Sequence, residues 1–245
     1  MLLNSDIANS DINKYTVEFL ANKWMITVAC VIALIFAVLY VGHKMPKNKK
    51  ELYAKILAYV MIGFFIINHS FLLLIGKWEL SKELPVHLCS ISGLICCFIM
   101  FIPKNRRQFI FEFLFYCGII GGIQAILTPL IDDYGGYNFF YIQFFFKHAM
   151  IIAFPIYLRN HLGMKLTKFS WLKTWVVLNI FMFILIPLNN FLGSNYMYVN
   201  VPPAVDNPLV IGEWPTYLYW WEVFVLILII VVFIIGKPRS FEKIS

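Results

Sequence analysis

Three histidines and a cysteine stand inside hydrophobic segments of this chain: His69, His87, Cys89 and His148. Imidazole exchanges a proton near neutral pH without a large environmental shift, and a thiolate beside such a base is a nucleophile. These side chains are therefore the candidates for acid/base or acyl-transfer chemistry, with His87 and His148 leading and Cys89 as the possible nucleophile. His87 and Cys89 lie two apart in Leu84-Pro85-Val86-His87-Leu88-Cys89-Ser90. On an ideal helix they point about 200° apart, Cys89 sharing its face with Ser92 and Cys96, and His87 with Ser90 and Ile91. Pro85 in the first turn can relax that geometry. Around them, His69, Gln124, Thr128, Gln143, Lys147, Asn189, Asn190 and Glu222 are polar groups in apolar surroundings, and candidates for binding substrate. Polar side chains in hydrocarbon are expensive and usually face a bundle interior or a wet cavity, so their recurrence at one depth predicts one shared site.

The elements that must position them are membrane helices. With 61% hydrophobic and 13% charged residues and a mean hydropathy of +0.77, the 245-residue chain is too apolar for a soluble domain. Reading for runs of about 20 apolar residues predicts spans near Trp24–Val41, Leu52–Gly76, Leu84–Ile102, Phe109–Thr128, Phe139–Leu158, Thr174–Leu192 and Pro215–Gly236. The expected fold is all-α: seven transmembrane helices in one domain over residues 24–236, after an external segment 1–23 and before a tail 237–245.

Basic residues set the orientation. Lys44, Lys47, Lys49 and Lys50, then Lys104, Arg106 and Arg107, then Arg159, Lys165, Lys168 and Lys173, then the tail with Lys237, Arg239 and Lys243, share one side of a seven-span chain. The other side carries Glu79, Glu83, Asp132, Asp133, Asp206 and Glu213. The positive-inside rule then puts the N-terminus outside and the C-terminus in the cytoplasm of a cell membrane. The net charge of +7 is thereby topological, and no nucleic-acid partner is expected because no basic stripe alternates with exposed aromatics. The N-terminal segment lacks the basic start and small-residue cleavage site of a signal peptide, and Ile12, Tyr15 and Phe19 at near-helical spacing predict a short external helix.

With a rise of about 1.5 Å per residue, His69, Lys147, His148 and Glu222 fall about 10 Å below the outer edge, with His87 and Cys89 shallower. Lys147 and Glu222 either pair across the bundle or leave Lys147 to present a cation to a lipid phosphate. Lys55 and Glu112 lie near the cytoplasmic edge, where they can snorkel, and Asn179 bonds a neighbouring helix. Gly118-Ile-Ile-Gly121-Gly122 would let another helix approach closely. The outer loop from Gly193 to Trp214, with Pro202, Pro203 and Pro208, is long enough to fold over the outer mouth. No cofactor is predicted: there is no CxxC, HxxxH or HExxH spacing for a metal, no haem signature, and no GxxxxGK[ST] for a nucleotide. The five cysteines, Cys30, Cys89, Cys96, Cys97 and Cys117, sit within spans and make no disulfide framework.

The motif around His87, with Gly118-Ile-Ile-Gly121-Gly122-Ile-Gln124-Ala125-Ile-Leu-Thr128-Pro129 and Phe144-Phe-Phe-Lys147-His148-Ala149, resembles the YwaF-like bacterial integral membrane proteins. Asn195-Tyr196-Met197 and Gly212-Glu-Trp214-Pro215-Thr-Tyr217 extend the resemblance, which covers about residues 50–236. It implies a seven-span protein of the bacterial plasma membrane, distantly similar to a vertebrate transmembrane acyltransferase that moves fatty acyl chains between phospholipids. That relative has a Pro-Cys-His arrangement; here the matching tripeptide is Pro85-Val86-His87, so the histidine transfers and Cys89 is displaced by two. The expected function is a membrane-embedded acyltransferase or acyl hydrolase acting on phospholipid or lyso-lipid chains, with membrane lipids as partners. Gln124 or Thr128 would donate to the ester oxyanion. The alternatives are a transporter of a small amphiphile or a binding subunit.

Overall fold

The structure, a computed structural model, describes residues 14–132, 134, 138–203 and 210–238. Ile12, Asp133, Asp206, Pro208, Arg239, Lys243 and most of the tail lie outside the described residues.

A strand β1 (Lys14–Thr16) precedes helix α1 (Asn22–Lys44). Then come α2 (Lys50–Leu74), a single turn α3 (Leu80–Glu83), α4 (Leu88–Phe98), α5 (Arg107–Leu127), strand β2 (Leu130–Asp132), α6 (Asn138–Leu162), α7 (Ser170–Leu192) and α8 (Thr216–Gly236). The all-α expectation is corrected at one point. Tyr15 lies in β1, which pairs antiparallel with β2, Lys14 opposite Asp132 and Thr16 opposite Leu130, so no helix forms there. The segment finds its backbone partners in the chain end between α5 and α6 rather than in itself.

Six helices are long and apolar enough to cross a membrane: α1, α2 with its preceding 3-10 turn, α5 with its preceding 3-10 turn, α6, α7 and α8. The expected third span, Leu84–Ile102, is shorter than read. Leu84, Pro85, Val86 and His87 form turns, and the apolar helix runs over Leu88–Phe101, about 21 Å against a hydrocarbon core of about 30 Å. The lower end of that helix is closed by Arg107, whose Nη2 and Nε donate to the carbonyls of Met100 and Ile102, replacing the missing helical donors.

α5 and α6 form the centre, each more than half buried, and the other long helices surround them. Their close approach depends on the glycines of α5. A Cβ on Gly118 would fall 2.4 Å from the Ile151 carbonyl oxygen, and one on Gly122 2.6 Å from Ile152 Cγ1, so the small residues serve helix packing. α1, α2 and α4 pack on α6, while α7 and α8 pack on α5. Outward faces are apolar, as at Phe36, Phe183 and Ile235, which are 67%, 70% and 76% exposed. Such surfaces fit hydrocarbon as the solvent.

The basic loops gather at one end. Lys104 pairs with Glu51 at 3.4 Å, the Lys50 ammonium meets His161 Nδ1 at 3.2 Å, and Arg159 Nε donates to the Gly236 carbonyl at 3.0 Å. Lys55 pairs with Glu51, half exposed. Glu112 does not snorkel as expected: it is fully buried, and its Oε1 accepts from Gln108 Nε2 and the Thr167 N–H. It ties the α6–α7 loop to α5 instead.

Candidate functional site

A cavity of about 440 Å3 opens at the end of the bundle away from the basic loops. Each helix around it contributes one stripe at helical spacing, set by the three-to-four-residue period. α2 gives Met61, Phe64, Phe65, Asn68, His69 and Leu72; α5 gives Cys117, Ile120, Gly121, Gln124, Ala125 and Thr128. α6 brings Gln143, Lys147 and His148, α8 brings Trp221, Glu222 and Val225, and α4 brings Cys89, Gly93 and Cys97. His69, His87, Cys89, Gln124, Thr128, Gln143, Lys147, His148 and Glu222 thus line one space.

Hydrogen bonds make the three histidines different. His148 is 3% exposed and its Nδ1 lies 2.6 Å from the Phe144 carbonyl oxygen. A carbonyl can only accept, so Nδ1 carries the proton and the neutral ring keeps its lone pair on Nε2. His87 is the reverse: the Met197 N–H donates to its Nδ1 at 3.2 Å, so the neutral ring is protonated at Nε2. His69 also accepts at Nδ1, from Trp78 Nε1 at 3.1 Å, with Phe65 packed on its face at 4.4 Å. Of the three, His148 is the one arranged as a base, and its orientation is set one helical turn back on α6.

His87 is the N-cap residue of α4 and lies under the loop between α7 and α8, its ring 5.2 Å from that of Tyr196 and 5.5 Å from that of Tyr198. Cys89 turns the other way, toward α5, where its Sγ is 3.1 Å from the place a Gly121 Cβ would occupy. The two therefore belong to different walls, in keeping with their opposed directions on a helix. Gly121 admits Cys89 from α4 while the adjacent Gly122 admits α6 at the level of His148, so the glycine pair draws both side chains' helices onto α5.

Lys147 and Glu222 form no ion pair. Among the described residues no carboxylate comes within 4.0 Å of Lys147, and Glu222 Oε2 accepts from Asn179 Nδ2 at 2.8 Å. The Lys147 stem crosses α4 beside Gly93, and its charge bears on Glu83, His69, Cys89 and His148. It is the central cation of the cavity. Thr128 is a poor oxyanion donor, because its hydroxyl donates to the Gln124 carbonyl at 3.0 Å. The carboxamides of Gln124 and Gln143 have no hydrogen bond among the described residues and are the better donors.

Asn189 and Asn190 are not brought to the cavity. Asn189 is fully buried and organises the loop between α7 and α8: its Nδ2 donates to the Tyr196 carbonyl and Asn200 Oδ1, and its Oδ1 accepts from Ser194 Oγ and the Tyr196 N–H. Asn190 is exposed and accepts from Asn200. Both sit at the end of α7, where a helix must satisfy its last carbonyls and the chain turns through Gly193 at φ 63°. Proximity in sequence depth did not reveal that they face the loop. The loop itself does cover the mouth, since Asn195, Met197, Tyr198, Val199 and Pro203 line the cavity. It is pinned by Tyr196, whose hydroxyl donates to the Leu80 carbonyl at 2.6 Å and accepts from the Leu84 N–H at 3.0 Å. Burial pushes Tyr196 up to about 12, which keeps that donor protonated.

Glu83 and Tyr134 also line the site, although neither falls in a predicted span. Tyr134 donates to Glu83 Oε1, and both line the cavity near its mouth. Burial raises the Glu83 carboxyl above its ordinary range and nearby Asp132 adds to the rise, while Tyr134, Lys147 and Lys82 oppose it. Their role comes from α3 folding back under the loop, for which the four residues Leu80–Glu83 offer no periodic signal.

No curated protein and no solved structure matches the chain significantly. A sequence model of the TMEM164 family matches residues 18–233, which takes in every helix described above except the last three residues of α8. This chain, a multi-pass membrane protein by its six long apolar helices, belongs to the TMEM164 family.

Proposed function

We propose that this chain is a membrane-embedded acyltransferase or acyl hydrolase acting on phospholipid or lyso-lipid chains from a pocket facing the outer leaflet. The observation that carries the reading is the polarity gradient of the cavity. On α2 the lining passes from His69 and Asn68 to Phe65, Phe64 and Met61; on α5 from Thr128 and Gln124 to Ile120 and Cys117; on α8 from Glu222 to Val225, Leu228 and Ile229. A polar chamber above an apolar shaft has the form of an amphiphile.

In this scheme the hydrocarbon lies in the shaft and the Lys147 ammonium meets the phosphate. His148 Nε2 takes the proton from an attacking hydroxyl, whose oxygen forms a bond to the ester carbonyl carbon. The tetrahedral oxyanion receives an N–H from Gln124 or Gln143. Collapse breaks the bond to the leaving oxygen, which takes the proton back from His148. A lyso-lipid hydroxyl makes this a transfer, and water makes it a hydrolysis. In a covalent variant the Cys89 thiol passes its proton to His148 and its sulfur bonds the carbonyl carbon, the lyso-lipid oxygen leaves with that proton, and a hydroxyl then displaces the sulfur from the acyl-cysteine. The resemblance to YwaF-like proteins and to a vertebrate phospholipid acyltransferase supports the lipid substrate.

The topology in this reading has seven crossings, the short helix Leu88–Phe101 making the third. Its start beside α3 at the cavity mouth, and the Lys104–Glu51 pair three residues beyond its last residue at the basic end, support that crossing. The basic end is cytoplasmic, the N-terminus is outside, and the membrane is a bacterial plasma membrane.

The test is lipid mass spectrometry of the purified full chain in detergent with a phospholipid donor and a lyso-lipid acceptor. Turnover is expected without a partner or a gradient, lost in His148→Ala and reduced less in Cys89→Ser. Movement of lipid in sealed vesicles without chemical conversion would make the chain a transporter. A thiol-labile acyl adduct on Cys89 would move the nucleophile to that residue.

A further inference from the structure

We infer that the closed lower end of the cavity measures the length of a single hydrocarbon chain, with Met61, Cys97, Cys117 and Ile229 as its floor. The inference rests on the lipid reading of the same site and adds its chain-length specificity.

The stripes that line the cavity have a common length. Below the polar groups they run from His69 to Met61 on α2, from Gln124 to Cys117 on α5 and from Glu222 to Ile229 on α8, or about 11 Å of helix. All four floor residues are buried, at 4%, 1%, 1% and 0% exposure, and three of them, Met61, Cys97 and Ile229, belong to the main apolar core of the bundle. The shaft therefore ends in packed protein and not in lipid. A volume of about 440 Å3 lies in the lower part of the range of about 300–1,000 Å3 typical of small-ligand pockets. That is room for one chain and not for both tails of a diacyl lipid. A hydrocarbon zigzag of bonds near 1.5 Å advances roughly 1.25 Å per carbon, so about nine carbons fill the shaft before the floor.

Gly93 gives a way to move this limit without breaking the fold. It lies one turn below Cys89 on α4, and a Cβ built there meets nothing nearer than 3.9 Å, the contacts being the Lys147 stem and Met61 Cε at 4.0 Å. A side chain at this position enters the shaft about 6 Å above Cys97.

The experiment measures binding of saturated lysophosphatidylcholines, from about three to about eighteen carbons, to the full chain by native mass spectrometry. Affinity should rise about fourfold per added methylene and stop rising at about nine carbons. Gly93→Leu should bring the break forward by roughly five carbons, and Met61→Ala should delay it by one or two. A rise that continues unbroken to the longest chain, or a break that neither variant moves, overturns the ruler while leaving lipid binding intact. Absence of binding at every length overturns the lipid reading itself.

Discussion

Replacing Asn189 by alanine should damage the fold rather than the chemistry. The carboxamide makes four hydrogen bonds, at 3.0 Å to the Tyr196 carbonyl, 2.8 Å to Asn200, 2.9 Å from Ser194 and 2.8 Å from the Tyr196 N–H. Alanine leaves both backbone groups of Tyr196 unpaired in a site with no exposure. A net hydrogen bond is worth about 1 kcal/mol in water-soluble proteins and a buried orphan costs about 1–3 kcal/mol, while polar contacts between membrane helices average about 0.6 kcal/mol. Together these put the destabilisation at about 2–4 kcal/mol. For a chain of this size that lowers the melting temperature by about 5–15 °C. Asn189→Asp keeps the two acceptor contacts and loses both donors, so its melting temperature should fall between those of wild type and alanine. The assay is thermal unfolding in detergent alongside lipid binding. An unchanged melting temperature together with lost lipid binding would refute the assignment and return Asn189 to the substrate.

Two further outcomes follow from the site and the orientation. Because burial raises the Glu83 carboxyl, the fold favours its protonated form: the associated stability is present below the ordinary carboxylate pKa near 4.5 and is lost as pH rises through the elevated value. Melting temperatures of wild type should therefore decline over that window, and those of Glu83→Gln should stay flatter; parallel curves would show that Glu83 is not perturbed. For topology, single cysteines at Asp132 and Lys104 in a cysteine-free background should label with an impermeant maleimide from outside and only after permeabilisation, respectively. Reversed labelling would place the cavity in the cytoplasmic leaflet.

Much of the architecture could be read from apolar run lengths and charge placement, because each long helix must satisfy its own backbone in hydrocarbon and most lysine and arginine stay at the helix ends. The boundaries of α1, α2, α5, α6, α7 and α8 lie within a few residues of the predicted spans. The exception is the stretch around Pro85, whose apolar composition reads as membrane although its backbone turns until Leu88. Hydropathy counts side chains and is blind to where a helix starts. Likewise the pairing of β1 with β2 joins segments more than a hundred residues apart, which no local pattern encodes.

The site divides along the same line. Depth along a helix follows from the constant rise per residue, so His69, His87, His148, Lys147, Gln124, Gln143 and Glu222 could be placed in one layer from the amino-acid order alone. Direction and partnership could not. A carbonyl of Phe144 turns the His148 lone pair to Nε2, a backbone N–H of Met197 does the opposite to His87, and Asn179 Nδ2 donates to the Glu222 carboxylate, which makes no pair with Lys147. Asn189 and Asn190 share the layer but face the loop, while Glu83 and Tyr134 enter it from loops. Helical rise is a property of the chain itself, whereas the bond each polar atom accepts or donates depends on which neighbour the packed bundle brings within about 3 Å. Chemical identity and depth are therefore written in the order of residues, and the division of labour among the histidines exists only once the helices are assembled.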